Sequence, residues 1–159
     1  MTGIAAAVAR TDLDVTPVVS RMLETIKHRG GDGFGLACPG FLQECTSTSD
    51  FDPVHNALVL GAVNRKSLFD DQSQPIEDKG SYVVLDGRFE RSGSLPDIVF
   101  FSEVVQGHPR LGLGDVLAQE RGAYATAVLS DSQILLARDS AGTVPAYLGE
   151  TRDFFAVAT

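Results

Sequence analysis

The sequence has little of what a metal site or a disulfide-bonded fold requires. Its 159 residues include only two cysteines, Cys38 and Cys45, too few for a disulfide framework. Its three histidines are scattered, without the close spacing of paired metal ligands. We therefore expect neither a metal ion nor another cofactor. Both cysteines lie in strand-like runs, which favours buried free thiols, with a disulfide between them as the alternative.

Basic charge and long apolar runs are also scarce. Thirteen Lys and Arg residues stand against 21 Asp and Glu residues, giving a formal net charge of −8, whereas a nucleic-acid binder needs a basic face. No apolar run is long enough to span a bilayer, and no basic segment precedes an apolar one as in a signal peptide. We therefore expect a cytoplasmic protein that binds neither nucleic acid nor a membrane.

Two common catalytic motifs are missing as well. The segment RLGLGD at 110–115 follows a predicted helix rather than a strand and lacks the full G-x-G-x-x-G spacing. It is therefore interpreted as a connection between two helices. No serine lies in a G-x-S-x-G elbow, which argues against an α/β-hydrolase triad.

The order of apolar runs predicts one domain over residues 1–159 with an α+β fold. Strands are predicted at 3–10, 34–39, 41–47, 56–64, 81–89, 123–130, 133–140, 145–150 and 153–159. Helices are predicted near 17–29, 96–107 and 114–122, and a polar surface loop at 65–80. Because the strands cluster instead of alternating with helices, mainly antiparallel sheets are expected.

The first helix has the clearest boundary signals in the sequence. Thr16 is predicted as its N-cap, with Pro17 at the first helical position. Lys27, His28 and Arg29 follow at the negative end of the helix dipole. Gly30 is predicted to end the helix in the left-handed conformation.

Several local patterns occur in a fixed order along the chain. They are TGIAAAV at the amino end, HRGGDGFG at 28–35, NRKSLFD at 64–70, QP at 74–75, VVLDGRFE at 83–90, GAYATAVLSD at 122–131, LARDSAGTVPAYLG at 136–149 and FAVA at 155–158. Together they resemble the class II glutamine amidotransferase domain at the amino terminus of asparagine synthetase-like proteins. The resemblance covers nearly the whole chain. It implies the amino-terminal-nucleophile (Ntn) hydrolase fold, a four-layer αββα sandwich with two mainly antiparallel sheets.

The resemblance also implies roles for individual residues. In this family the residue behind the initiator methionine is a cysteine that attacks the glutamine amide, with its own amino group as the base. The matching residue here is Thr2, a possible nucleophile once Met1 is removed. Asp86 and Gly87 match the Asn-Gly pair of the oxyanion hole. Arg65 matches the arginine that pairs with the substrate α-carboxylate.

Three residues depart from the family pattern in the same direction. Thr2 replaces the cysteine, Asp86 replaces the asparagine donor, and Arg88 replaces a glutamate that holds the substrate ammonium. An ionised Asp86 would repel the developing oxyanion, and loss of one such donor costs about 10²–10³ in rate. The departures therefore predict weak or absent glutaminase activity. His28, Arg29, Gly30, Arg138 and Asp139 are interpreted as structural residues that brace the terminus and cap strands.

Three functions stay open on this reading of the residues. The domain could be a binding, regulatory or assembly module for a synthetase-type partner, or for a second copy of itself. It could instead be an Ntn hydrolase that uses Thr2 on glutamine or another amide, with Arg65 and Arg88 binding a carboxylate-bearing ligand. The third is a structural paralogue whose pocket is filled. The chain has no Ser-Gly-Gly-x-Asp-Ser pyrophosphatase loop, so it is not expected to make asparagine alone.

Overall fold

The computed structural model describes residues 2–65, 72–91, 93–107, 114, 117–118 and 120–159. The strands in this part of the chain are β1 (Gly3–Ala9), β2 (Gly33–Cys38), β3 (Phe41–Cys45), β4 (Leu58–Asn64), β5 (Ile76–Asp78), β6 (Ser81–Phe89), β7 (Gly122–Ser130), β8 (Gln133–Arg138), β9 (Tyr147–Glu150) and β10 (Phe154–Ala158). The helices are α1 (Thr16–Thr25) and α2 (Asp97–Gly107), with 3-10 turns at Lys27–Arg29 and Thr48–Asp50. None of the described helices has the length and apolar character needed to cross a membrane.

The strands form two sheets in which every described pairing is antiparallel. Sheet A has the order β3-β2-β4-β1-β10-β9, and sheet B has the order β5-β6-β7-β8. β1 lies between β4 and β10, with Gly3 opposite Val63 and Ala5 opposite Ala158. The amino end of the chain therefore enters the middle of sheet A.

Three apolar clusters hold the layers together. The first lies between the two sheets and includes Ile4 and Ala6 of β1 with Tyr82 and Val84 of β6. The second packs α1 on the outer face of sheet A, and the third packs α2 on the outer face of sheet B. The order of layers is therefore α1, sheet A, sheet B, α2. Because β1 is buried on both faces, its sequence is a continuous apolar run without polar alternation.

The predicted boundaries of the first helix need correction. Thr16 is the first helical residue and not the N-cap; Val15 holds that position, and no side chain caps it. The Thr16 amide instead donates to the Asp14 carboxylate, 2.9 Å away. Pro17 therefore occupies the second helical position. The α-helix ends at Thr25, before the 3-10 turn.

Gly30 is required for a reason that differs from the predicted one. Its φ is −131°, so it is not left-handed. A Cβ on Gly30 would lie only 2.5 Å from the Asn64 carbonyl oxygen. Glycine is needed here because the chain passes against the end of β4.

The remaining elements follow the prediction within a few residues, with two exceptions. The predicted loop 65–80 contains the short strand β5, and its residues 66–71 lie outside the described part of the chain. The predicted helix 114–122 lies partly outside it as well; Gly114 and Leu117 are helical, whereas Gly122 begins β7. The predicted hairpin between β7 and β8 is confirmed, with Ser130 opposite Gln133.

Cys38 and Cys45 are both free, so the alternative of a disulfide between them is wrong. Both thiols belong to the cluster under α1. Burial raises the pKa of the Cys38 thiol, and the nearby Asp14 carboxylate adds to this rise. Burial also raises the pKa of Cys45. Both side chains are therefore protonated at neutral pH. The buried Cys38 acts as a small apolar group, whereas the half-buried Cys45 donates a hydrogen bond to the Ser47 carbonyl.

The Asp139 carboxylate organises the turn between β8 and β9. It accepts backbone hydrogen bonds from Ala141 at 3.0 Å, Thr143 at 3.0 Å and Tyr124 at 3.3 Å. Burial alone would raise the pKa of Asp139, but the hydrogen bonds from Thr143, Val144 and Tyr124 outweigh it and hold the pKa below its usual value. Asp139 thus has the structural role that the sequence predicts for it.

Asp139→Asn should lower the free energy of unfolding by about 2 kcal/mol at pH 7, because hydrogen bonds to a charged acceptor are lost. A lowered folded-state pKa stabilises the protein above the unfolded value of about 3.9, and this stability is lost as the pH falls through the folded pKa. The gap between variant and wild type should therefore shrink below about pH 4. Urea denaturation of both proteins across pH 3–7 measures this difference in the free energy of unfolding. Asp131→Asn, on an exposed hairpin turn, is the control, and an equal effect there would contradict the prediction.

Candidate active site

The amino end of β1 is buried between the two sheets. Thr2 directly precedes β1 and is 9% exposed. Because side chains alternate along an extended chain, Thr2 shares the face of Ile4, which packs in the cluster between the sheets. Thr2 therefore points toward sheet B and not toward α1.

Gln74 connects Thr2 to the opposite sheet. Its Nε2 lies 3.5 Å from Thr2 Oγ1, a long contact, and its Oε1 accepts a hydrogen bond from the Leu85 amide at 2.7 Å. Asn64 holds the Gln74 backbone from both sides, since its Oδ1 accepts from Gln74 N at 3.0 Å and its Nδ2 donates to Gln74 O at 2.8 Å. The side-chain amide of Gln74 therefore links the start of β1 to β6, the strand that carries Asp86.

Asp86 is fully buried and is held by two donors. Arg29 Nη2 donates to Asp86 Oδ2 at 2.6 Å, and Thr159 Oγ1 donates to the same oxygen at 2.7 Å. Thr159 Oγ1 in turn accepts a hydrogen bond from the Ile4 amide at 3.0 Å. The carboxylate is thus tied to the first strand through one hydroxyl group.

Two polar atoms of this ion pair lack a hydrogen-bond partner among the described residues. Asp86 Oδ1 and Arg29 Nε are buried and have no hydrogen-bond partner in the part of the chain that the structure describes. Arg29 also packs along β1, because a Cβ on Gly3 would lie 3.3 Å from Arg29 Cδ. The predicted bracing role of Arg29 at the terminus agrees with this contact.

Gly87 has a backbone conformation that other residues rarely adopt. Its φ is +106°, and a Cβ at this position would lie 2.0 Å from the Ala123 carbonyl oxygen of β7. The Asp86–Gly87 step therefore combines a buried charge with a close backbone contact.

The two predicted ligand-binding arginines are exposed. Arg65 follows β4 at the end of sheet A where β1 begins. Arg88 lines a cleft of about 450 Å³ together with Phe89, Glu90, Arg91, Gly122 and Ala123. Thr2 and Arg65 are not among the residues that line this cleft. Their roles in binding stay predictions.

The structure brings Thr2 and Asp86 into one polar cluster, together with residues that the site prediction omitted. The omitted residues are Arg29, Asn64, Gln74 and Thr159. We call these four residues together with Thr2 and Asp86 the amino-end cluster. Gln74 had a signal in the sequence, because Gln74-Pro75 belongs to the motif series. Thr159 had none, since its partner Asp86 lies 73 residues away in sequence. Among the described residues, no group of His, Cys, Asp and Glu side chains is arranged to hold a metal ion.

The four layers form the predicted αββα sandwich, which is the Ntn-hydrolase type of α+β fold. Comparison with known proteins supports this class through structure alone. No protein-family model matches the sequence, and no curated protein matches it.

Two solved structures share the fold. One is glutamine phosphoribosylpyrophosphate amidotransferase from B. subtilis, complexed with ADP and GMP, with a TM-score of 0.74 and 16% identity. The other is described as the allosteric regulatory enzyme of purine biosynthesis, with a TM-score of 0.75 and 18% identity. Each match covers 98% of this chain and 41% of the other. This chain therefore spans less than half the length of either protein, and the likeness confirms the predicted fold.

Proposed function

We propose that this chain is a divergent class II glutamine amidotransferase-like domain, related to those of asparagine synthetase-like proteins, that does not hydrolyse glutamine efficiently. It acts in the cytoplasm as a binding, regulatory or assembly module. Its partner is a synthetase-type protein or a second copy of itself, and its ligand is glutamine or another amide or carboxylate. The observation that carries the proposal is the buried carboxylate of Asp86.

Asp86 stands where the family uses an amide donor, and a carboxylate at this position can only accept hydrogen bonds when it is ionised. Its charge is compensated by the guanidinium of Arg29. An oxyanion that develops nearby would face negative charge where stabilisation needs a preorganised donor. The ion pair therefore satisfies the buried charge within the fold and offers no donor to the transition state.

The charges around the cluster also disfavour free glutamine. Arg88 replaces a glutamate, and it is exposed two residues beyond Asp86. A cation there repels the α-ammonium of an amino acid and attracts a carboxylate. Arg65, exposed at the end of β4, adds a second cation on the β1 side of the molecule. These two arginines suit an anionic ligand.

The purified protein should release ammonia from glutamine no faster than its Thr2→Ala variant does. Loss of one oxyanion donor alone costs about 10²–10³ in rate, and two further residues of the family set have changed. An enzyme-coupled ammonia assay, with intact-mass spectrometry to identify the first residue, makes the measurement. Glutamine turnover that Thr2→Ala abolishes and the exposed-site control Thr11→Ala keeps would overturn the proposal.

A second candidate rests on the position of Thr2. Its hydroxyl lies at the head of β1, as the nucleophile of an Ntn hydrolase does, and a threonine with a free α-amino group is a workable nucleophile and base. This candidate requires removal of Met1, since a peptide nitrogen cannot act as the base. Intact mass decides it: a retained Met1 eliminates Thr2 as an amino-terminal nucleophile.

A further inference from the structure

A second cavity opens between the sheets, on the side of β1 away from β4. It has a volume of about 280 Å³ and lies where the edge strands β8 and β9 approach each other. Its walls are mostly apolar, with small side chains leaving space at the centre; they include Ile4, Ala125, Ala137, Ala146, Leu148 and Val157. Thr159 of the amino-end cluster also lines it, whereas Thr2 and Asp86 do not.

The cavity continues as a groove along β8. An adjoining space of about 310 Å³ shares Leu136, Leu148 and Val157 with it and extends to Val8 and Ile134. The four steps from Arg138 to Ile134 correspond to about 13 Å of strand. The combined space, which we call the edge groove, is therefore elongated and lined mostly by apolar residues.

One end of the edge groove carries a cation. Arg138 lines the cavity, is exposed, and forms no ion pair with a described residue. Its guanidinium lies against Gly142, where an added Cβ would be 3.3 Å from Cζ. At the other end, Arg10 stacks on Phe155 and is already paired with Glu150. The groove thus has one available positive charge, in a chain whose net charge is −8.

Two exposed leucines form the rim of the groove. Leu136 is 47% exposed and Leu148 is 73% exposed. Apolar side chains of this size that remain open beside a concave apolar surface are typical of a binding site. A ligand that covered them would gain apolar burial that the isolated chain lacks.

We propose that the edge groove binds a monocarboxylate with an unbranched apolar chain. The carboxylate pairs with Arg138, and the chain lies between Leu136 and Leu148 and extends toward Ile134. A carboxylate matches the single available cation, and an unbranched chain matches the elongated shape. This site adjoins the amino-end cluster, because Thr159 lines the cavity and also donates to Asp86, but it does not depend on the activity of Thr2.

A homologous series of probes tests the proposal. Hexanoate, octanoate and decanoate, each below its micellar concentration, are titrated into the full chain by calorimetry and by amide NMR. Each added CH₂ group that is buried should tighten binding by about fourfold. The largest resonance shifts should fall on Ala125, Ala137 and Val157. Equal affinities along the series, or shifts that map elsewhere, would overturn the proposal.

Matched variants test separately the contacts at the two ends of the ligand. Leu148→Asp should abolish decanoate binding, whereas Leu95→Asp, at an exposed leucine outside the groove, should leave it unchanged. Arg138→Gln should weaken decanoate by about fivefold, as expected for one exposed charge pair, and Arg21→Gln should not. Decanol should bind to Arg138→Gln and to wild type equally. If Arg138→Gln has no effect, or if a dimer through Leu148 excludes decanoate, the proposal fails.

Discussion

Arg29→Ala is expected to lower the free energy of unfolding by about 3–5 kcal/mol, because it leaves the charge of Asp86 buried without a cation to compensate it. The Asp86 side chain is 0% exposed and that of Arg29 is 17% exposed, so water cannot readily replace the guanidinium. Since folded domains are stable by only about 5–15 kcal/mol, the variant approaches the limit of folding. Urea denaturation followed by circular dichroism measures the change.

Two further variants identify the ion pair as the cause. Arg21→Ala, at an exposed position of α1, should change stability by less than about 0.5 kcal/mol. The double variant Arg29→Ala, Asp86→Ala should be less destabilised than the sum of its single variants, since no charge is then left buried alone. Additive effects, or a loss below about 1 kcal/mol in Arg29→Ala, would contradict the assignment.

Gly87→Ala is expected to destabilise the fold by about 4 kcal/mol. A φ of +106° strains any residue that has a Cβ, and that Cβ would overlap the Ala123 carbonyl oxygen at 2.0 Å. Strained backbone and overpacking each cost about 1–3 kcal/mol. Because β6 and β7 pair through this point, the overlap can be relieved only by separating the two central strands of sheet B.

Gly40→Ala is the control that separates the two costs. Gly40 also has a positive φ, +75°, but a Cβ added there would have no atom within 4 Å beyond its chain neighbours. Gly40→Ala should therefore cost only about 1 kcal/mol. Thermal or chemical denaturation of both variants gives the comparison. Equal losses would show that conformation alone, and not the contact with β7, explains the glycine at position 87.

The fold was largely predictable because its signals are local. The apolar run of β1, the hairpin between β7 and β8 and the periodicity of α1 each depend on neighbouring residues. The boundary signals of α1 were less informative. Thr16 was predicted as the N-cap from its residue type, but Val15 occupies that position. The backbone amide of Thr16 donates to the Asp14 carboxylate instead.

The candidate site was predictable only in part. Thr2, Asp86 and Gly87 were predicted as site residues because motifs in a fixed order pointed to them. The contacts of the site were not predictable, since Arg29, Gln74 and Thr159 reach Asp86 or Thr2 across 57 to 73 positions of sequence. The edge groove had no signal in the sequence, because its alanines and leucines resemble ordinary strand residues.

By itself, the sequence determined the α+β class and the placement of most strands, and through a resemblance it predicted changed residue types at positions 2, 86 and 88. These follow from residue identity and from periodicity, which are properties of short segments. The tertiary structure decided how Asp86 is neutralised, why Gly30 must be glycine and where an apolar groove remains open. Those properties depend on which distant segments the two sheets bring into contact, and these contacts arise only when the sheets pack.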